Sequence, residues 1–502
     1  VLSAGTLASR ILGFVRDVIL ARLFGTTFVQ DAFVVAFKIP NLFRDFVGEG
    51  ATNAALVPVF SEYRAQKSRE DFFAFLNVIL ALGLIVLSVL AVLGIAAAPG
   101  IIRLMAPGFT GDPEKLALTI RLTRIMFPYI IFIGLTAYVT GILFTFRSFA
   151  APAFAPALLN IALIAAYFAV RHRPDPVYGF AVAVLAGGAL QLAFLLPSLA
   201  KTGYRFRWPR SLGHPGAGKV VRLLGPRLVG GGVYQLTVLV DTFCASLTAW
   251  VGPGGISAIY FANRIIYLPM GLFGVSMASA ILPSFSEFAQ RGDMAAFRKM
   301  LVFSLENIFF IMAPMIVSLL VFSDPVIRVI FQRGEFGAYS TGITSRALLF
   351  YALGLFSFGG IKIMIAAFHS LWDTRTPVVT AAFTLALNAA LNFALMTPLK
   401  VGGIALASSI AGTVNFLVLF SLLNKRLGGL NSGLRIFLFK TSLAAALAGC
   451  FQYWAWTRID LPWEVVKLFA AGGAGLAVYL VLCCFLKVGP ARKIWAWASK
   501  RK

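Results

Sequence analysis

The sequence predicts an all-α polytopic membrane protein with fourteen transmembrane helices, twelve of them in two six-helix lobes related by a parallel repeat and two more at the C-terminus. Three observations carry this expectation. Of 502 residues, 59% are hydrophobic and only 13% charged, with a mean hydropathy of +0.87, too little charge to cover a soluble protein of this length. Apolar runs of about 20 residues recur along the chain, each long enough to cross about 30 Å of hydrocarbon. They read as helices, because lone strands leave backbone groups unsatisfied in lipid and no barrel-like alternation is present. The third observation is an internal echo that divides the chain.

In order, the spans are expected at about residues 3–24, 29–62, 73–98, 119–147, 152–170, 177–199, 226–250, 256–288, 300–322, 343–370, 377–397, 402–424, 434–456 and 463–486. The second and eighth are too long for plain spans and are expected to extend past the membrane. Loop charges set the orientation. Starting with the N-terminus inside, the cytoplasmic loops receive Arg64, Lys67 and Arg69, then Arg147, then Lys201, Arg205, Arg207, Arg210, Lys219 and Arg222. Later ones receive Arg291, Arg298 and Lys299, then Arg375, then Lys425 and Arg426, then the tail with Arg492, Lys493, Lys500, Arg501 and Lys502. The opposite loops hold Arg103, Lys115, Arg171, Arg173, Arg328, Arg333, Lys400 and Arg458. This asymmetry places both termini in the cytoplasm, and the same scatter of cations over short loops accounts for the net charge of +25 without nucleic acid.

Ala55 to Tyr63 reads ALVPVFSEY and Ala280 to Phe288 reads AILPSFSEF, an offset of 225 residues. Both copies end the second long helix of a series of six. Upstream, Ala36-Phe37-Lys38-Ile39 aligns with Ala262-Asn263-Arg264-Ile265, so a cation recurs at the equivalent place, and Asn160 matches Asn388. Equal span counts before each match make the repeats parallel. The expected organisation is an N-lobe over 1–200, a cytoplasmic linker over 201–225, a C-lobe over 226–426, spans thirteen and fourteen over 427–487, and a basic cytoplasmic tail over 488–502. Lobes of this kind rock around a central site in transporters. The chain begins at Val1 without a cleavable signal pattern, and an initiator Met with a few residues is expected to have been trimmed. The tail IWAWASKRK reads as an interfacial anchor.

The first two spans have the apolar density of membrane helices yet carry Arg10, Arg16, Asp17, Arg22, Asp31, Lys38, Arg44, Asp45 and Glu49. Each charge at mid-bilayer costs at least about 2.5–3.5 kcal/mol, so they are expected to face a polar cavity. Arg10 and Asp17 are seven apart and share a helix face, with Arg16 about a third of a turn away. Arg10, Arg16, Asp17 and Arg44 read as cavity residues, while Arg22, Asp31 and Glu49 stand open between cavity and interface. The second lobe adds Arg264, Arg346 and Lys362. A cavity more basic than acidic suits an anionic, phosphate-bearing substrate, since the guanidinium fork bonds phosphate bidentately.

A second polar group comprises Asp241, Asn388, Asn392 and Ser408. Its oxygens suit a small hard cation, and interhelical hydrogen bonding is the competing reading. No HExxH, GxSxG or phosphate-binding glycine loop appears, and His172, His214 and His369 are scattered, so enzyme chemistry has no support. The four cysteines lack metal-ligand spacing and read as packing residues.

SRILGFVRDVILARLFG, DAFVVAFKIPNLFRDFVGEGATNAALVPVFSEY and FQRGEF at Phe331 to Phe336 resemble the MurJ (MviN) lipid II flippases over nearly the whole chain. The resemblance implies the fold of multidrug/oligosaccharidyl-lipid/polysaccharide exporters, with the last two helices forming a groove for a lipid tail. It implies lipid II, the undecaprenyl-pyrophosphate-linked glycopeptide, moved from the inner to the outer leaflet of the bacterial cytoplasmic membrane, with membrane lipids as surroundings, no cofactor and no named protein partner. By motif, Arg10, Arg16, Asp17, Asp31, Arg44 and Arg264 correspond to cavity residues, and Lys38 joins them from the repeat. Asp241, Asn388, Asn392 and Ser408 resemble a sodium site, with sodium the implied coupling ion. Asn392 stands where an acid can occur in the family, which removes one charge from that site. A cation-coupled drug antiporter of the same superfamily, another polyprenyl-linked oligosaccharide flippase and a non-transporting scaffold are the alternatives. An antiporter calls for an acidic cavity, and a scaffold leaves the buried charges unexplained.

Overall fold

The structure is a computed structural model that describes residues 2–48, 51–429 and 433–492, with the side chains of 2–3, 43–48, 51–55 and 224–234 outside the description. The expected tail anchor at 493–502 and Glu49 also lie outside the described residues. Among the described residues all regular structure is helical, as lipid requires of a chain that spans it without a barrel. The chain divides into two compact units, Val1–Ala249 and Trp250–Lys502.

The first unit contains α1 (Leu2–Phe24), α2 (Phe28–Gly48), α3 (Ala51–Gln66), α4 (Arg69–Met105), a 3-10 turn at Pro107–Gly111, α5 (Pro113–Met126), α6 (Tyr129–Thr145), α7 (Ala150–Val170), α8 (Pro176–Ala200) and α9 (Pro215–Ser246). The short α10 (Thr248–Val251) falls at the division. The sequence starts these helices with recognisable caps. Ser68 accepts from the backbone N–H of Asp71 at the start of α4, and Asp112, followed by Pro113, accepts from that of Lys115 at the start of α5. Pro40 stands inside α2, which runs on through it. Two apolar cores hold the unit. One joins α1, α2, α5, α6, α7 and α8 around Phe24, Phe33, Tyr129 and Phe180. The other joins α3, α4, α6 and α8 around Phe60, Phe72, Phe75 and Tyr138, and takes in Tyr204 from the loop after α8.

That loop, the expected linker, is pinned to the bundle. Tyr204 is buried and its hydroxyl donates to Asn77 Oδ1 at 2.8 Å, and the same oxygen accepts from the Arg207 backbone N–H at 3.2 Å. Burial holds the Tyr204 hydroxyl well above its ordinary pKa, so it remains a donor at all physiological pH. At the end of the loop His214 caps α9: its Nδ1 accepts from Gly216 N–H at 3.1 Å while the ring packs on Phe75 and Tyr63. An accepting Nδ1 requires neutral imidazole, and partial burial lowers the His214 pKa from 6.5, with Asp71 pulling weakly the other way. A folded pKa below the unfolded one means that this cap is fully present above about pH 6.5 and is lost as pH falls through the lower folded value. The Gly216 amide is therefore expected to lose hydrogen-exchange protection between pH 7.5 and pH 5, and the His214→Asn variant, which caps without titrating, is expected to keep it.

The second unit contains α11 (Gly255–Pro269), a π turn at Met270–Val275, α12 (Ser276–Gln290), α13 (Met294–Phe331), α14 (Ala338–Ser370), α15 (Arg375–Leu399), α16 (Val401–Arg426), α17 (Gly433–Arg458) and α18 (Glu464–Phe485). Helix α14 is its spine, packed on α11, α12, α13 and α16. Small residues let these helices touch: a Cβ on Gly360 would lie 2.7 Å from the Phe416 ring and one on Gly354 2.8 Å from Ser409 Oγ. Asp373, between α14 and α15, accepts from the N–H and hydroxyl of Thr376 and from Arg426. The backbone N–H bond from Thr376 is the main reason its carboxyl lies below the usual carboxylate range.

Eleven helices among the described residues are long and apolar enough to cross a membrane, with α5–α6 and α11–α12 each counted as one. They coincide with the third to sixth and eighth to fourteenth expected spans. The first and second fall on α1 and on α2 with α3, where charges such as Arg10, Arg16, Asp17 and Arg22 on α1 break the apolar window, and the seventh falls on α9, of which side chains 224–234 lie outside the described residues. Fourteen remains the expectation from sequence for the number of spans.

Candidate substrate site

Arg16 and Asp17 are neighbours on α1 and would diverge by about 100° on a regular helix. The structure brings them together because the Arg16 side chain turns back across the helix. Its Nε and Nη2 both donate to Asp17 Oδ1, at 3.0 and 2.8 Å, and its Nη1 donates to Asn160 Oδ1 on α7 at 2.9 Å. The Asn160 amide nitrogen then donates back to the Ser9 carbonyl on α1 at 3.0 Å. Arg16 is 6% and Asp17 1% exposed. Gly5 lets α1 lie this close to α7, since a Cβ there would come within 2.3 Å of the Ala153 carbonyl oxygen. Two opposite charges out of water, paired with each other and with the third guanidinium nitrogen bonded to an amide oxygen, are a hydrogen-bonded cluster rather than an isolated charge.

One helix further on, Asp31 near the start of α2 receives Lys115 Nζ from α5 at 2.7 Å, both side chains at most 5% exposed. The ammonium also stands 4.1 Å from the centroid of the Phe109 ring, a cation–π contact in a dry site. Lys38, seven residues along α2, donates to Thr242 Oγ1 on α9 at 2.5 Å, beside Asp241 in the α9 sequence. Arg10 is exposed, as is Arg22. Thus Arg16 is paired with Asp17 inside the fold, while Arg10 and Arg22 are solvent-accessible. Arg44 belongs to α2, and its side chain and that of Asp45 lie outside the described residues.

In the second unit Arg264 is half-buried on α11, with Nη2 donating to the Tyr260 hydroxyl one turn back at 2.9 Å and the guanidinium carbon 4.6 Å from the centroid of the same ring. The π turn beginning six residues later shifts the helix register after Pro269, and such bulges re-aim side chains. Arg346 is exposed and Lys362 half-buried. On α15 and α16, Asn392 Nδ2 donates to Asn388 Oδ1 at 3.2 Å and Asn388 Nδ2 donates to Ser408 Oγ at 3.3 Å, with both asparagines essentially fully buried. These amide and hydroxyl oxygens are the donor chemistry a hard monovalent cation takes, though none is charged. Asp241 belongs to the other unit. Among the described residues no group of three or more His, Cys, Asp or Glu could hold a metal ion.

Several of these partners were not legible as such. Lys115 reads from sequence only as a loop charge, Asn160 only as a repeat marker, and Thr242 and Tyr260 not at all. The Asn160–Asn388 correspondence was the one available signal, since each copy sits in a buried polar cluster of its own unit.

The sequence profile of the family described as "Lipid II flippase MurJ" matches residues 20–472. A lipid II flippase MurJ from Burkholderia cenocepacia is 35% identical over 474 residues, covering 93% of this chain and 90% of the relative. A probable lipid II flippase MurJ from Buchnera aphidicola subsp. Acyrthosiphon pisum is 36% identical over 427 residues, covering 84% and 82%. A solved structure of "Lipid II flippase MurJ, inward closed conformation" superposes with a TM-score of 0.82 at 28% identity, covering 97% of this chain and 98% of that one. An inward-facing MATE family transporter of the MOP superfamily shares the fold at a TM-score of 0.69 and 16% identity. A profile over nine-tenths of the chain and relatives of nearly full length lead to one conclusion: this all-helical, membrane-spanning chain belongs to the MurJ family of lipid flippases, a transporter rather than an enzyme family.

Proposed function

We propose that this chain moves lipid II across the bacterial inner membrane, from the cytoplasmic to the outer leaflet, by alternating access. The observation that carries the reading is the family match over residues 20–472, and the charges of the first two helices agree with it. Headgroup transfer needs no bond made or broken, only cationic groups that bind a pyrophosphate differently in two states. Arg10, Lys38, Arg44 and Arg264 are the proposed phosphate contacts. Arg16 and Asp17, held by Asn160, are proposed to exchange partners between states, freeing the guanidinium fork for phosphate when α1 moves from α7. The pairing of Asp31 with Lys115 also weighs against the drug-antiporter alternative, because that carboxylate already has a cation. Both termini are proposed to face the cytoplasm, on the loop-charge asymmetry.

Sodium as coupling ion accompanies this reading. It rests on the neutral oxygens of Asn388, Asn392 and Ser408 and on Asp241, the one carboxylate of the implied ligand set. Asp241→Asn is expected to abolish any acceleration of transport by sodium, and Asn392→Asp, which adds a charge, to shift half-saturation to lower sodium. Equal sodium response in Asp241→Asn and the unaltered chain contradicts the assignment. The function itself is tested by depleting a bacterium of its own flippase while expressing this chain: growth and normal lipid II levels are expected, whereas lipid II accumulating in the inner leaflet refutes the reading.

A further inference from the structure

The linker between α8 and α9 carries a surface that the flipping reading does not use. From Lys201 to Leu212 the sequence KTGYRFRWPRSL holds four cations and no acid. The structure turns them outward: Lys201, Arg205, Arg207 and Arg210 are all exposed, and Phe206 and Trp208 are 44% and 60% exposed. Among the described residues no carboxylate pairs with Arg205, Arg207 or Arg210, whereas Lys219 further along is paired with Glu62. The two rings pack edge to face at 6.1 Å, forming one exposed apolar knob amid the guanidinium groups.

Two further facts place this surface. The segment is not a loose tether, since Tyr204, the Arg207 N–H and the bond from Arg69 Nη2 to the Thr202 carbonyl fasten its first half, and the His214 cap fastens its end. It also starts directly where the apolar α8 ends, so it lies at the level where a membrane span gives way to headgroups. Aromatic rings with neighbouring arginines at that depth have the composition of an interfacial anchor: rings among the acyl-chain ends, cations on lipid phosphates. In water the same Trp208 would expose a large apolar area to no purpose.

We propose that residues 205–212 are a docking surface for anionic phospholipid headgroups of the adjacent leaflet, with Arg205, Arg207 and Arg210 on the phosphates and Phe206 and Trp208 in the interface. This site is separate from the proposed lipid II contacts and does not depend on them. Charge complementarity selects anionic over zwitterionic lipid, on the order of several-fold enrichment per basic residue.

The test uses the full chain in nanodiscs of phosphatidylcholine and phosphatidylglycerol in which either the zwitterionic or the anionic lipid carries brominated tails at the same mole fraction. Trp208 emission is isolated as the difference between the unaltered chain and Trp208→Phe. The surface predicts at least twofold stronger quenching of this difference signal by brominated phosphatidylglycerol than by brominated phosphatidylcholine. It also predicts that Arg205→Gln/Arg207→Gln/Arg210→Gln equalises the two. These side chains are exposed and the Asn77 bond uses the Arg207 backbone, so the triple variant keeps its fold, which its unfolding temperature checks. Equal quenching by both lipids in the unaltered chain overturns headgroup selection, and no quenching by either overturns membrane contact altogether.

Discussion

Replacing Arg16 with alanine is expected to abolish lipid II transport and to destabilise the purified protein by about 3–5 kcal/mol, the cost of stranding a buried charge. Asp17, 1% exposed, would lose its guanidinium, and Asn160 Oδ1 its donor from α1. The stability loss alone could stop transport, so the informative comparison is Arg16→Leu/Asp17→Asn. Removing both charges replaces the ion pair by neutral groups and is expected to restore much of the unfolding free energy, since buried pairs are often matched by neutral substitutes. Transport is expected to stay absent, because the fork proposed to take the pyrophosphate is gone. Unfolding in detergent and growth support in flippase-depleted cells give the two readouts. A stable double variant that still supports growth assigns the cluster to architecture alone.

The Asp31–Lys115 pair provides the second large effect, with the opposite pattern. Asp31→Asn and Lys115→Met are each expected to cost about 3–5 kcal/mol, because either leaves one charge in a site at most 5% exposed. The double variant is expected to recover most of this, so that it costs less than either single variant, and to transport lipid II normally. The pair spends both its charges on joining α2 to α5 and its ammonium also faces Phe109, so substrate finds no free charge there. Additive single effects without coupling would mean that the two groups do not act as a pair.

These two clusters show which parts of the molecule could be read in advance. Helix positions followed from apolar length, because the bilayer fixes the length a span needs. That Arg16 and Asp31 would be kept out of lipid followed from the cost of placing a charge there, and both are buried. Their partners did not follow. Arg16 meets Asn160 across 144 residues, Asp31 meets Lys115 across 84, and Lys38 meets Thr242 across 204. Such meetings depend on how each helix is rotated and tilted against its neighbour, which packing sets and a 3.6-residue period alone does not. Spacing suggested that Arg16 points away from Asp17, yet the long arginine side chain closes the gap by folding back on α1. The repeat marked Asn160 and Asn388 as equivalent, but that each anchors a polar cluster became visible only with α7 and α15 in place.

The most direct test of the account is flipping by the purified chain in proteoliposomes that carry fluorescent lipid II in both leaflets. A membrane-impermeant reductant bleaches the outward-facing label at once and reaches the rest only as molecules cross. Loss of nearly all label with the unaltered chain, against about half in protein-free vesicles and in vesicles with Arg16→Leu/Asp17→Asn, is the predicted result. Bleaching that stops near half with the unaltered chain, or that runs to completion equally with the double variant, contradicts it.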